Sequence, residues 1–387
     1  MSPNIQRRLD ILGPKDCVQD SGNLSASQYY SFIANFMKRL HSGIPPSDPP
    51  DVRRPAHIEI REEYYRGNYV KRAVIFLLSN GCEWALKSAY GCTMCGHIAK
   101  QVRSQQPISA DDFIVQFNTA FSSMDFKGIP ILNIFNNGSF LNENELPSDA
   151  RRAIVGLISE KKDIKKLLIE SRPEFITDSI IRETKSLLQN TELEIAIGLE
   201  TADDFRRFVS VNKGFSLSQF TQAANIILKH KVQLRCYLLL KPPFYSEKEA
   251  IDDAVDSIKT AFSLGVKTVS LEAMTVQKYT LIEYLYNNDL YRMPWLWSII
   301  EVVKKTSHLG RVFVGLFKFY PSPNFVPNNC SLCNDKTMDA IVEYNRTLKS
   351  EIFDQLHCQC KKDWKKHLNS GRDFYQNFQD FLLTAKI

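Results

Sequence analysis

Seven of the nine cysteines in this 387-residue chain fall in two tight groups, Cys82, Cys92 and Cys95, then Cys330, Cys333, Cys358 and Cys360. A disulfide framework belongs to short secreted chains, whereas a long chain in a reducing compartment keeps its thiolates available, so the grouping points to metal. In the first group, SNGCEWALKSAYGCTMCGH, nine residues separate Cys82 from Cys92 and two separate Cys92 from Cys95. Three thiolates is the informative count. Four would close a structural site, while three on a [4Fe-4S] cluster leave one iron open to an outside ligand, and an open iron implies chemistry. Zinc, with His97 as a fourth ligand, is the competing reading, although a zinc ribbon seldom sits on the first loop of a barrel.

In the second group two residues separate Cys330 from Cys333, twenty-four follow before Cys358, and one precedes Cys360. Two close pairs of thiolates make a closed site that zinc and an auxiliary [4Fe-4S] cluster both accept, and spacing does not separate them. A structural role is the first expectation, since a metal clip adds folding free energy to a short chain end; a redox-active cluster is the alternative, and His357 is a spare ligand. Cys17 and Cys236 are left over. Cys236, inside LRCYLLL, reads as a small packing residue.

These cysteines must be held by something. The chain is 44% hydrophobic and 24% charged, ordinary globular proportions. It contains no apolar stretch of the roughly 20 residues a membrane span needs. The polar opening MSPNIQRRLD is no signal peptide, so no membrane and a cytoplasmic location are expected. The net charge of +6 is thinly spread. Its one local cluster, Lys361, Lys362, Lys365 and Lys366, reads as a solvated helix face, and charge alone neither supports nor excludes RNA.

A helix is predicted over 25–40, then the Pro-rich connector GIPPSDPPDVRRP, together a lead-in spanning 1–66. Short apolar runs then alternate with amphipathic stretches: AVIFLLS (73–79), ILNIFN (131–136), KLLIES (166–171), EIAIGLE (194–200), QLRCYLLLK (233–241), TVSLEAM (268–274) and a seventh, VFVGLFK (312–318). Helical spacing appears over 111–124, 216–230 and 247–265. The pattern is that of βα units on a parallel sheet. Too few units are present for an eight-strand barrel, so an α/β fold with an open or partial TIM-type barrel is expected over 67–320, with its chemistry at the carboxyl ends of the strands. Residues 321–387 are a small cysteine-rich, metal-binding extension.

Three cysteines with a hydrophobic residue, Met94, inside the last pair resemble the radical S-adenosylmethionine superfamily. The nine-residue first gap resembles its elongator-catalytic-subunit branch. Within that branch GCTMCGH (91–97), NNGSFLNENELP (136–147), IESRPEFI (169–176), IGLETAD (197–203), VNKGFS (211–216), LLLKPPFYSEKEA (238–250) and MPWLWSIIEVV (293–303) are similar to the radical subunit of archaeosine synthase, across roughly 55–370. The resemblance implies a partial (β/α)6 barrel and S-adenosylmethionine on a [4Fe-4S] cluster held by Cys82, Cys92 and Cys95. It also implies reductive cleavage to a 5′-deoxyadenosyl radical, with an electron donor such as ferredoxin or flavodoxin. The family reaction breaks a C–N bond of a lysine-derived adduct on a 7-deazaguanine base in tRNA, with a partner subunit.

Strand-end position adds candidate roles. Gly138 and Ser139 suit the methionine moiety, because a residue without Cβ admits close approach and a hydroxyl bonds an amino group. Glu170 and Glu200 suit the ribose or the ammonium; Arg172, Arg235 and Lys241 suit the carboxylate. Glu272 and Gln277 are expected to face substrate, and Trp295 and Trp297 to pack in the core. The approach to the second cysteine group, FYPSPNFVPNNC, lacks the glycine- and arginine-rich run expected of archaeal tRNA enzymes, and no appended RNA-binding domain is visible. A paralogue acting on a small metabolite or nucleoside, or a non-catalytic zinc-binding protein, are the alternatives.

Overall fold

The structure, a computed structural model, describes residues 26–46, 50–87, 90–100 and 107–385; Cys17 lies outside them. Eight strands form one sheet in chain order, with β1 (His57–Tyr65) and β8 (Arg311–Val314) at its edges. β1 pairs antiparallel with β2 (Asn68–Phe76) through the two-residue turn Arg66–Gly67. Both turn residues have positive φ, 48° and 87°, the handedness that matches the twist of a tight hairpin. The 1–66 lead-in therefore ends inside the sheet. Apolar runs do not reveal this edge strand, because only Glu63 and Tyr65 of HIEIREEYY are buried.

From β2 onward every pairing is parallel, through β3 (Ile131–Phe135), β4 (Lys166–Glu170), β5 (Glu192–Glu200), β6 (Gln233–Leu240), β7 (Thr268–Ala273) and β8. A helix, α1 (Ala26–Ser42), precedes the sheet, and helices make the crossovers, α2 (Glu83–Lys87) and α3 (Ala110–Ser122) after β2, and α4 (Ser148–Glu160) and α5 (Asp178–Leu188) beyond β3 and β4. Next come α6 (Leu217–Lys229) and α7 (Glu247–Ser263), each opened by a capping box, at Ser216 with Gln219 and at Ser246 with Glu249. α8 (Leu281–Asn287) and α9 (Leu296–Thr306) precede β8; α10 (Asn334–Thr347), α11 (Lys361–Ser370) and α12 (Phe374–Thr384) follow it.

Alternation sorts the strands' side chains into two cores. Ala73, Ile75, Leu132, Ile134, Leu167, Ile169, Ile195 and Ile197 pack outward against helices, and Val74, Phe76, Phe135, Leu168 and Ala196 pack inward with Tyr237 and Tyr320. At the amino end of the barrel the interior is closed by buried charges. Lys166 lies 2.7 Å and Arg235 3.1 Å from Glu194, and Glu63 binds Arg235, Arg72 at 2.5 Å and Lys166 at 3.3 Å. Burial alone would raise both carboxyls, but Arg235 and its neighbouring cations outweigh it and hold them below the usual carboxylate range.

The open side of the sheet is covered by α10. Asn345 accepts from Val314 N (2.9 Å) and donates to Val314 O (2.8 Å), so one amide stands in for a missing strand at the β8 edge. Tyr344 donates to Val312 O, and Arg346 reaches Glu62 of β1 at 3.6 Å. α1 and α12 meet in an aromatic seam, Tyr29 against Phe378 and Phe36 against Phe381, both 5.2 Å between ring centres. The Tyr29 hydroxyl donates to Val209 O beyond β5.

Candidate active site at the carboxyl rim

The chain leaves β2, turns at Gly81 with φ 105°, and enters α2, whose first free amides fold over Cys82: Ala85 N and Leu86 N donate to Cys82 O at 2.9 and 3.1 Å. It returns through Gly91, φ 82°, where a Cβ would press on Ala85 at 3.1 Å. Cys92 to Cys95 closes a tight turn, Cys95 N to Cys92 O 3.1 Å.

Distant segments hold this loop. Beyond β5 a π-helical turn, Arg207–Val211, ends at Asn212 in the left-handed region, a local form that often marks functional sites. Thr93 donates to Ser210 O (2.5 Å) and, through its N–H, to Val211 O (3.0 Å); Asn212 donates to Gly91 O (2.8 Å), and Trp84 to Asn212 O (2.8 Å). On the other flank Gln277 accepts from Gly96 N at 2.6 Å and donates to Pro321 O at 3.2 Å. A Cβ on Gly96 would sit 2.5 Å from that same Gln277 oxygen. Gln277 thus braces the cysteine turn, a different task from the substrate contact expected of it.

The three thiols are half-buried, and desolvation pushes Cys82 up to about 11 and Cys95 to about 12, with Cys92 also raised. Lys213 and Arg172 pull Cys92 the other way. A cationic metal would deprotonate the set, and these two cations offset the negative charge it brings. His97 is driven down to about 4 by burial, so its imidazole is neutral.

Around the loop lie the strand ends. Arg172 stacks between Trp84 and Phe215, 4.9 and 5.4 Å from the ring centres; its Nε bonds Glu174 at 2.6 Å, and its buried Nη2 has no partner among the described residues. Ser139 accepts from Arg172 N at 3.1 Å, and its own N–H donates to Glu145. A Cβ on Gly138 would run into Glu145 and come 3.2 Å from Cys82 Cα. Glu200 is held by Lys213 at 2.6 Å, and a Cβ on Gly198 would reach that ammonium at 2.8 Å. Both amide atoms of buried Asn136 lack a partner among the described residues. Met94 packs half-buried on the core. Deeper inside, burial raises Glu170 to about 7 and also raises Glu272, which accepts from Ser270 at 2.7 Å.

Two expected residues are not brought to this rim as free cations. Arg235 faces inward but at the amino end, within the ionic cluster. Lys241 is buried and bound to Glu247 at 2.7 Å. Three contributors escape sequence reading. Lys213 and Glu145 lie in VNKGFS and NNGSFLNENELP with no strand to place them, and Trp84 looks like helix packing. The Arg172 and Asn136 nitrogens, without a partner among the described residues, and three thiols carried on one loop fit an anionic cluster with a zwitterionic ligand.

The second cysteine group lies against the first turn of α9. Its four sulfurs all fall within 4.8 Å of one another, and Trp297, buried like Trp295, donates its indole N–H to Cys360 Sγ at 3.3 Å.

No family model matches the chain. It is 34% identical over 326 residues to archaeosine synthase subunit beta of Methanosarcina acetivorans, covering 83% of this chain and 91% of that one. The relative of the same description in Thermococcus kodakarensis is 31% identical over 252 residues, covering 62% and 74%. Among solved structures, Elp3 of Methanocaldococcus infernus overlaps 60% of this chain and 59% of its own at 13% identity and a TM-score of 0.45. Among the described residues no helix is long and apolar enough to cross a membrane.

Proposed function

Because the chain belongs to the family of archaeosine synthase subunit beta, we propose that it is a radical S-adenosylmethionine enzyme that breaks a C–N bond in a lysine-type adduct on a 7-deazaguanine base of tRNA. In this reading it works with a partner subunit and a ferredoxin- or flavodoxin-type donor. Cys82, Cys92 and Cys95 hold a [4Fe-4S] cluster. When bound, the cluster and S-adenosylmethionine together supply a 5′-deoxyadenosyl radical that takes one hydrogen from a substrate carbon.

The chain's own part is to bind, orient and exclude water. Arg172, one edge committed to Glu174, offers Nη2 to a carboxylate. Gly138 and Ser139 admit and bond the amino-acid end, beside the amide of Asn136. Glu200, bound by Lys213 at 2.6 Å, accepts from hydroxyls of a ribose. Glu170 and Glu272 suit a cationic group of the substrate, because burial raises both carboxyls and their hydroxyl partners leave the negative charge without a cation to offset it. Met94, half-buried between Cys92 and Cys95 in the sequence, would exclude water from a bound cluster. The observation that supports this reading most directly is the three-thiol loop beside the half-partnered Arg172, in a chain 34% identical to a protein of that description.

The test is anaerobic incubation of reduced, reconstituted enzyme with S-adenosylmethionine and deuterated adduct, offered once within tRNA and once as the free nucleoside. Deuterium appearing in 5′-deoxyadenosine from tRNA alone is expected. Transfer from the nucleoside alone would replace tRNA by a small molecule, and no 5′-deoxyadenosine at all would overturn the radical assignment.

A further inference from the structure

We propose that Cys330, Cys333, Cys358 and Cys360 hold a single tetrahedral zinc ion, and that no auxiliary iron–sulfur cluster forms there. The inference is independent of the reaction at the rim. It rests on sulfur geometry. Cys330 Sγ lies 3.6 Å from Cys333 Sγ and 3.5 Å from Cys358 Sγ, and Cys333 Sγ lies 3.6 Å from Cys360 Sγ. All four sit within 4.8 Å of one another. Four sulfurs at a zinc–sulfur distance of about 2.3 Å mark the corners of a tetrahedron with edges of roughly 3.8 Å. A four-iron cube binds each thiolate through a different iron, so the iron–iron edge is added to the reach and the sulfurs must stand well outside the observed spread. The pocket is sized for one ion.

Its surroundings agree with a tetrathiolate zinc of net charge −2. α10 begins directly after Cys333 and α11 directly after Cys360, so two helix amino termini point their positive ends at the thiolates. Trp297 Nε1 donates to Cys360 Sγ, and the Lys361 ammonium lies 5.3 Å from the same indole ring. The ion would also have mechanical work. Trp364, one turn into α11, donates to Ser298 Oγ at 2.8 Å, Ser298 donates to Glu247 Oε1 at 2.5 Å, and Glu247 holds Lys241 at the end of β6. His367 accepts from Trp295 Nε1 at 3.0 Å. The site thus ties the chain beyond the barrel to the β6 rim through α9.

The experiment compares metal content of the full chain with that of Cys82→Ala/Cys92→Ala/Cys95→Ala, both purified and then anaerobically reconstituted with iron and sulfide. One zinc per chain in both proteins, with iron only in the first, is the expected result. Iron and sulfide bound by the triple variant with no zinc would overturn the proposal. Should that variant fail to fold, cobalt(II) exchanged into the wild-type chain decides. Intense tetrahedral ligand-field bands with sulfur-to-cobalt charge transfer, lost in Cys330→Ser/Cys333→Ser, are expected; weak octahedral absorption would overturn it. Missing iron in the wild type would count against the rim assignment and leave the zinc site standing.

Discussion

Arg172 carries a specific load at the rim, since its guanidinium is stacked and buried, with Nε bonded to Glu174 and Nη2 without a partner among the described residues. Arg172→Gln should weaken S-adenosylmethionine binding about ten- to a hundredfold, the loss of one charge-assisted bond worth roughly 1.5–3 kcal/mol. Lysine at the same place should not restore it, having no planar fork to stack and aim. Equilibrium dialysis on reconstituted protein reads this directly, and an unchanged dissociation constant would remove Arg172 from the ligand's shell. Glu170 gives a stability signature. Its folded-state value, about 7, stands above the ordinary carboxyl value of 4.5. The unfolded chain therefore holds fewer protons between those values, and stability falls as pH rises through that window. Glu170→Gln should unfold at higher denaturant than wild type at pH 8, by on the order of 3 kcal/mol, with the difference vanishing near pH 4. A gap independent of pH would refute the buried-carboxylate account.

At the level of loops and strands, the cysteine turn depends on Gly96, where a methyl would occupy the place of the Gln277 oxygen. Gly96→Ala is expected to cut iron loading at the rim severalfold while leaving zinc content unchanged; full iron loading would show that the brace is dispensable. Much of this architecture is legible in the sequence. Apolar runs ending in charge mark β4 and β5, and the cysteine spacing marks the loop, because both signals are local. Other features arise between residues far apart. Alternation places Arg235 on an inward or outward face but does not give its depth along the barrel axis, and it lies near the amino end, paired with Glu63 some 170 positions away. Gln277 and Asn212 grip the loop through backbone groups, which leave no compositional trace. β1 is hidden because an edge strand buries too little to show a run.

For the molecule as a whole, the ionic plug beneath the barrel joins β1, β2, β4, β5 and β6. Glu63 and Glu194 titrate below the usual carboxylate range in the folded chain. Their stabilisation is therefore complete above about pH 4.5 and is withdrawn as acid protonates them below it. Removing one partner leaves buried cations uncompensated, and Glu194→Gln should cost about 3–5 kcal/mol, measured as a lowered denaturation midpoint at pH 7; a midpoint within error of wild type would mean that Glu63 alone satisfies both cations.

The helix that covers the gap between β8 and β1 has a consequence for biosynthesis. Residues 334–347 leave the ribosome only after all eight strands have been made, so the nascent sheet passes through a stage in which the β8 rung later satisfied by Asn345 is open to solvent and to other chains. A chain ended before that helix would carry the β8 rung unsatisfied, an edge open to pairing with other chains.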